Sequence, residues 1–94
     1  MKKIAVLVVD DELIMCAALR HHLEKFPHIE VVGECHDGHA ALLAVEKLNP
    51  DLVFLDIRMP GLNGLEVTAT LDQLESSPQI VFVTAHDDYA LKAF

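Results

Sequence analysis

Apolar positions along the chain fall into short runs separated by segments of helical period. Ile4 to Val9, "IAVLVV", is continuous and of strand length, as expected for a strand covered on both faces. Cys16, Leu19, Leu23 and Phe26 then recur at spacings of 3, 4 and 3, which predicts a helix with one inward stripe, stopped by Pro27. Ile29 to Cys35, "IEVVGEC", alternates only in part and carries two glutamates, which suits an edge strand. Ala41, Val45 and Leu48 mark a second helix, closed by Asn49 and Pro50. Leu52 to Leu55 is again wholly apolar, and Val67, Leu71 and Leu74 mark a third helix. Gln79 to Ala85, "QIVFVTA", predicts a fourth strand, and "DDYALKAF" reads as the opening turns of a fourth helix with Asp87 and Asp88 as its cap.

Strand and helix alternate throughout, with connections too long for hairpins. That order predicts an α/β fold, a doubly wound parallel sheet with helices on both faces. Ligands in such folds bind at the carboxyl ends of the strands. Those ends carry Asp10 and Asp11 after the first strand, Asp56 after the third and Thr84 after the fourth. The uniformly apolar fourth strand fits an interior position, yet no fifth strand follows it. A bare apolar edge invites pairing with another chain. The expectation is therefore a fragment, the ordered part of a longer chain, or one partner in a strand-exchanged dimer.

Composition narrows the function classes. The 94 residues suffice for one small domain. Seven basic residues against 15 acidic give a net charge of −8, which argues against gripping nucleic acid directly and leaves room for a cation. No apolar run approaches the ~20 residues of a membrane helix. The opening "MKKIAVLVVDD" has no small-residue cleavage site, so it reads as a first strand, not a leader. Cys16 and Cys35 form neither a disulfide framework nor a zinc spacing, which suits the cytoplasm. His36 and His39, three apart, lack a third ligand at local spacing and read as solvated loop residues.

The acids carry the chemistry. Three carboxylates converging from neighbouring strands raise one another's pKa unless a cation intervenes. Mg²⁺, a hard ion with oxygen ligands and room for phosphate oxygens, is the natural partner. A carboxylate on a rigid strand tip is also a nucleophile able to form an acyl phosphate, so Asp56 is the expected phosphoryl acceptor. Thr84 on the next strand could hydrogen-bond the phosphoryl oxygens, while Pro60, Gly61 and Gly64 turn the chain away from Asp56. Taken alone, Asp10 and Asp11 could be simple helix caps; alongside Asp56 and Thr84 that reading loses ground. Met59 is expected to pack, not react.

Three phrases, "VLVVDDE", "PDLVFLDIRMPGLNGLE" and "IVFVTA", together resemble a response-regulator receiver domain, the phosphoryl-accepting half of two-component signalling. The resemblance implies a CheY-like sheet of order 2-1-3-4, with strand five and helix five missing. It implies Asp56 as phosphoacceptor, Asp11 and Asp10 as Mg²⁺ ligands, and Arg58 as a ligand through its backbone carbonyl. It implies Thr84 as the switch hydroxyl and Ala85 as the small residue beside the phosphoryl pocket. Implied partners are a sensor histidine kinase and, only through an absent C-terminal output domain, DNA. The phrase "VFVTAHDDYALKAF" is similar to receivers that precede LytTR-type output domains. The family's lysine at the end of strand five is not matched, which puts phosphorylation of this 94-residue chain in doubt. Two rival readings fit the residues less well. An aspartyl phosphatase wants an acid two residues after the nucleophile, where this chain has Arg58, and a pure interaction module would need none of the acids.

Overall fold

The computed structural model describes residues 2–59, 61–74 and 77–83. Thr84, Ala85, His86 and the expected fourth helix lie outside them. The element order is β1 (Ile4–Val9), α1 (Leu13–Leu23), β2 (Ile29–Cys35), α2 (Gly38–Leu48), β3 (Leu52–Leu55), α3 (Gly64–Leu71) and β4 (Gln79–Phe82). All pairings are parallel, in the order β2-β1-β3-β4. This is the expected doubly wound arrangement.

Alternation along the central strands splits the interior into two layers. Leu7 and Val9 of β1, with Val53 and Leu55 of β3, pack with Ala41 and Val45 of α2 and with Val67 and Leu71 of α3. Val6 and Val8 point the other way and pack with Cys16 and Leu23 of α1. Burial on both faces is why β1 and β3 read as unbroken apolar runs. In β2 the register against β1 slips once, between Val6 and Leu7, so that Val31 and Gly33 are consecutive partners and Val32 is left over as a bulge.

Two helical expectations need correction at their ends. Helix α1 stops at Leu23, and Phe26, placed in its inward stripe, is 55% exposed in the turn that follows, its N–H donating to the Leu23 carbonyl. Leu74 lies beyond α3, whereas Leu48 is the last residue of α2, as expected, and is 39% exposed. The fourth strand also differs: it spans Gln79–Phe82, with exposed and half-buried residues alternating, and among the described residues it is an edge.

Both later helices are capped by side chains. The Asp37 carboxylate accepts from the Ala40 N–H at 2.8 Å, and Asn49 ends α2 in the left-handed region at φ 47°. Asp37→Ala is expected to cost about 1 kcal/mol, read as a lower urea midpoint with unchanged slope.

Candidate functional site

The sheet delivers its acids by continuing the ladders one residue past the strands. Asp10 N–H donates to the Cys35 carbonyl and Asp56 N–H to the Val9 carbonyl, each at 3.0 Å. Both carboxylates are buried, at 8% and 9% exposure, while Asp11 is exposed. One carboxylate oxygen from each of Asp10, Asp11 and Asp56 lies within 4.8 Å of the others. The sequence expectation that these three acids meet is borne out.

Neither buried acid is left bare. Asp10 Oδ1 accepts from the Glu12 N–H at 2.9 Å, and Asp56 Oδ1 from the Arg58 N–H at 3.3 Å. Asp10 is thus not a helix cap in the usual sense: the N-cap position of α1 is Glu12, whose side chain makes no capping bond. Burial pushes the Asp56 carboxyl up to about 6, reinforced by the neighbouring Asp10 and Asp11, against the Arg58 N–H, which lowers it. Burial likewise raises Asp10, with Asp11 and Glu12 adding to the effect. A cluster that resists ionisation is one that a cation relieves. The donor set is all oxygen, two members buried and one open to water, and it fits a hard divalent ion of the Mg²⁺ type.

The loop after Asp56 is built for close approach. Gly64 opens α3 directly against the peptide carrying Asp56: a Cβ there would lie 2.5 Å from the Asp56 carbonyl oxygen and 2.8 Å from the Ile57 Cα. Its N–H donates to the Ile57 carbonyl at 2.8 Å. Gly61 has a different reason to be glycine, a φ of +79° in open space. Asn63 and Glu66 close a reciprocal capping box at the start of α3, a signal present in the sequence as "LNGLE". Met59 is buried in the core, as expected for packing.

A comparison with known families matches residues 6–94 to the response regulator receiver domain. The chain belongs to that family. Among curated relatives, the transcriptional regulatory protein BtsR of Escherichia coli K12 is 50% identical over 91 residues, covering 97% of this chain and 38% of BtsR. Among solved structures, the signal receiver domain of the putative response regulator NarL from Mycobacterium tuberculosis superposes with a TM-score of 0.89 at 34% identity, covering 97% of this chain and 73% of that one. The isolated receiver domain of RcsB from Salmonella enterica serovar Typhimurium, solved with the phosphomimetic BeF₃⁻, gives 0.87 at 25% identity, covering 98% and 69%. The receiver spans little more than a third of the length of the curated relatives it matches.

The narrower LytTR expectation finds no support in these matches, whose structural likeness runs to NarL and RcsB. The phrase that suggested it, residues 81–94, falls almost wholly outside the described residues. Among the described residues, no helix is long and apolar enough to cross a membrane.

Sequence reasoning missed one cluster entirely. Cys16, Glu34 and His36 bring a sulfur, a carboxylate oxygen and a ring nitrogen within 4.8 Å of one another. His39, considered beside His36, is not part of it.

Proposed function

We propose that this receiver accepts a phosphoryl group on Asp56 from the phosphohistidine of a sensor kinase. The observation that carries the reading is the convergence of the Asp10, Asp11 and Asp56 oxygens at the carboxyl end of the sheet. An Asp56 carboxylate oxygen attacks phosphorus, the O–P bond forms as the P–N bond breaks, and the imidazole nitrogen keeps the electron pair. Asp10, Asp11, Asp56 and the Arg58 carbonyl would hold Mg²⁺, which when bound would supply charge neutralisation for the phosphoryl oxygens. Asp56 is held for attack by the ladder bond to Val9 and by the Arg58 N–H on Oδ1, so little side-chain freedom remains to be lost. From the family resemblance, Thr84 donates its hydroxyl to the new phosphoryl group and Ala85 leaves space for it.

In the whole protein this change shifts a balance between two arrangements of the surface beyond β4, altering self-association and so DNA binding by an output domain. The relatives named as transcriptional regulators support that role. The reading places the protein in the cytoplasm as a switch, with no metabolic turnover.

The test is intact mass after incubation with Mg²⁺ and acetyl phosphate. One added phosphoryl group, removed by hydroxylamine and reduced in Asp11→Asn at limiting Mg²⁺, is the expected result. Uptake only in a version extended through a fifth strand assigns the shortfall to the missing lysine, whereas a folded extended protein that stays unmodified overturns the reading and leaves an interaction module.

A further inference from the structure

The edge strand and α1 build a second constellation of metal-ligating side chains, on the opposite layer from α2 and α3. Glu34 lies at the end of β2 and His36 one residue past it, two apart, so both project toward α1. Cys16 meets them from α1, with its Sγ, a Glu34 oxygen and a His36 ring nitrogen mutually within 4.8 Å. The three come from two elements 18 to 20 residues apart, and none belongs to the acidic pocket.

The surrounding contacts already orient these groups. His36 Nε2 sits 2.6 Å from Glu34 Oε2, while Arg20 Nη1 holds the other carboxylate oxygen, Oε1, at 3.6 Å. Cys16 Sγ donates to the Asp10 carbonyl at 3.4 Å and is fully buried, whereas His36 and Glu34 reach solvent and provide the way in. Thiolate, imidazole and carboxylate together are the donor set of zinc-type ions. The shell is also balanced in charge: one thiolate and one carboxylate offset a divalent cation, and the remaining position stays open to water.

We propose that Cys16, Glu34 and His36 form a site for a divalent transition ion of the zinc class, with one open coordination position. Because Cys16 also hydrogen-bonds the Asp10 backbone, occupancy ties α1 and β2 together beside the acid that ends β1.

The experiment is titration of the reduced chain with Co²⁺ in excess Mg²⁺, following the near-ultraviolet thiolate-to-cobalt charge-transfer band. Expected is one such band, saturating at one equivalent and abolished by Zn²⁺. It should vanish in Cys16→Ala and persist in Cys35→Ser and in Asp56→Asn, since those residues serve the other core layer and the acidic pocket. His36 is exposed, so His36→Gln keeps the fold, verified by circular dichroism, and should weaken Co²⁺ binding at least about tenfold. Absence of the band in the wild-type chain overturns the site. So does a band that survives Cys16→Ala, or one whose affinity His36→Gln leaves unchanged.

Discussion

Replacing Asp56 with asparagine is expected to abolish phosphoryl uptake and, in the same molecule, to stabilise the metal-free domain. The first effect follows because an amide offers no anionic oxygen to attack phosphorus. The second follows from linkage. Folding raises the Asp56 carboxyl from its ordinary 3.8 to about 6, chiefly through burial, so the folded state holds a proton there that the unfolded chain releases. Between those values the folded state binds more protons, so this group's contribution to stability falls as pH rises. Above about 6 the loss is complete. Asparagine carries no such charge, and its amide oxygen can still accept from the Arg58 N–H. Urea denaturation in EDTA should therefore show Asp56→Asn more stable than wild type by about 1–3 kcal/mol at pH 7.5, with the gap mostly closed near pH 4. Excess Mg²⁺ should narrow the gap at pH 7.5 by stabilising the wild type preferentially. A variant that is no more stable than wild type at pH 7.5 would show that burial of the acid costs little.

Gly64→Ala is the second large effect. The new methyl would sit 2.5 Å from the Asp56 carbonyl oxygen, and that obstacle is backbone, not the swinging end of a side chain. Either α3 retreats from the sheet or the peptide carrying Asp56 moves. Overpacking of this kind costs about 2–3 kcal/mol, more than the gain in helix propensity returns. Gly61→Ala is the matched control. It meets open space and pays only for its positive φ, about 1 kcal/mol. Denaturation midpoints of the two variants separate close packing from backbone strain. Near-equal losses would mean that the approach of α3 to Asp56 is loose. Phosphoryl uptake should also fall more in Gly64→Ala, because its strain is borne by the nucleophile's own peptide.

The acidic pocket was legible because each member ends a strand. Asp10 and Asp56 interrupt apolar runs at the point where a parallel sheet turns its ends to solvent, and Asp11 is adjacent in sequence. Helix ends were less legible. Phe26 and Leu74 keep the helical spacing but fall in turns, since periodicity alone does not reveal where the chain leaves the axis. The exposed alternation of β4 was hidden because both its faces carry apolar residues, so composition could not report which side water reaches. The Cys16, Glu34 and His36 cluster was not legible at all. No local spacing joins residues of a helix to those of an edge strand.

The leftover Val32 in β2 explains that blindness in another way. Before it, the odd-numbered Ile29 and Val31 face α1; after it, the even-numbered Glu34 and His36 do, while Cys35 turns to the α2 layer. The strand is two alternations spliced out of phase, which is why "IEVVGEC" alternates only in part. Were the phase unbroken, Cys35 would face Cys16 across the layer, and the two thiols would be neighbours in one compartment. A single inserted residue thus sorts the cysteines onto opposite sides of the sheet and puts an acid and an imidazole where a second sulfur would have stood.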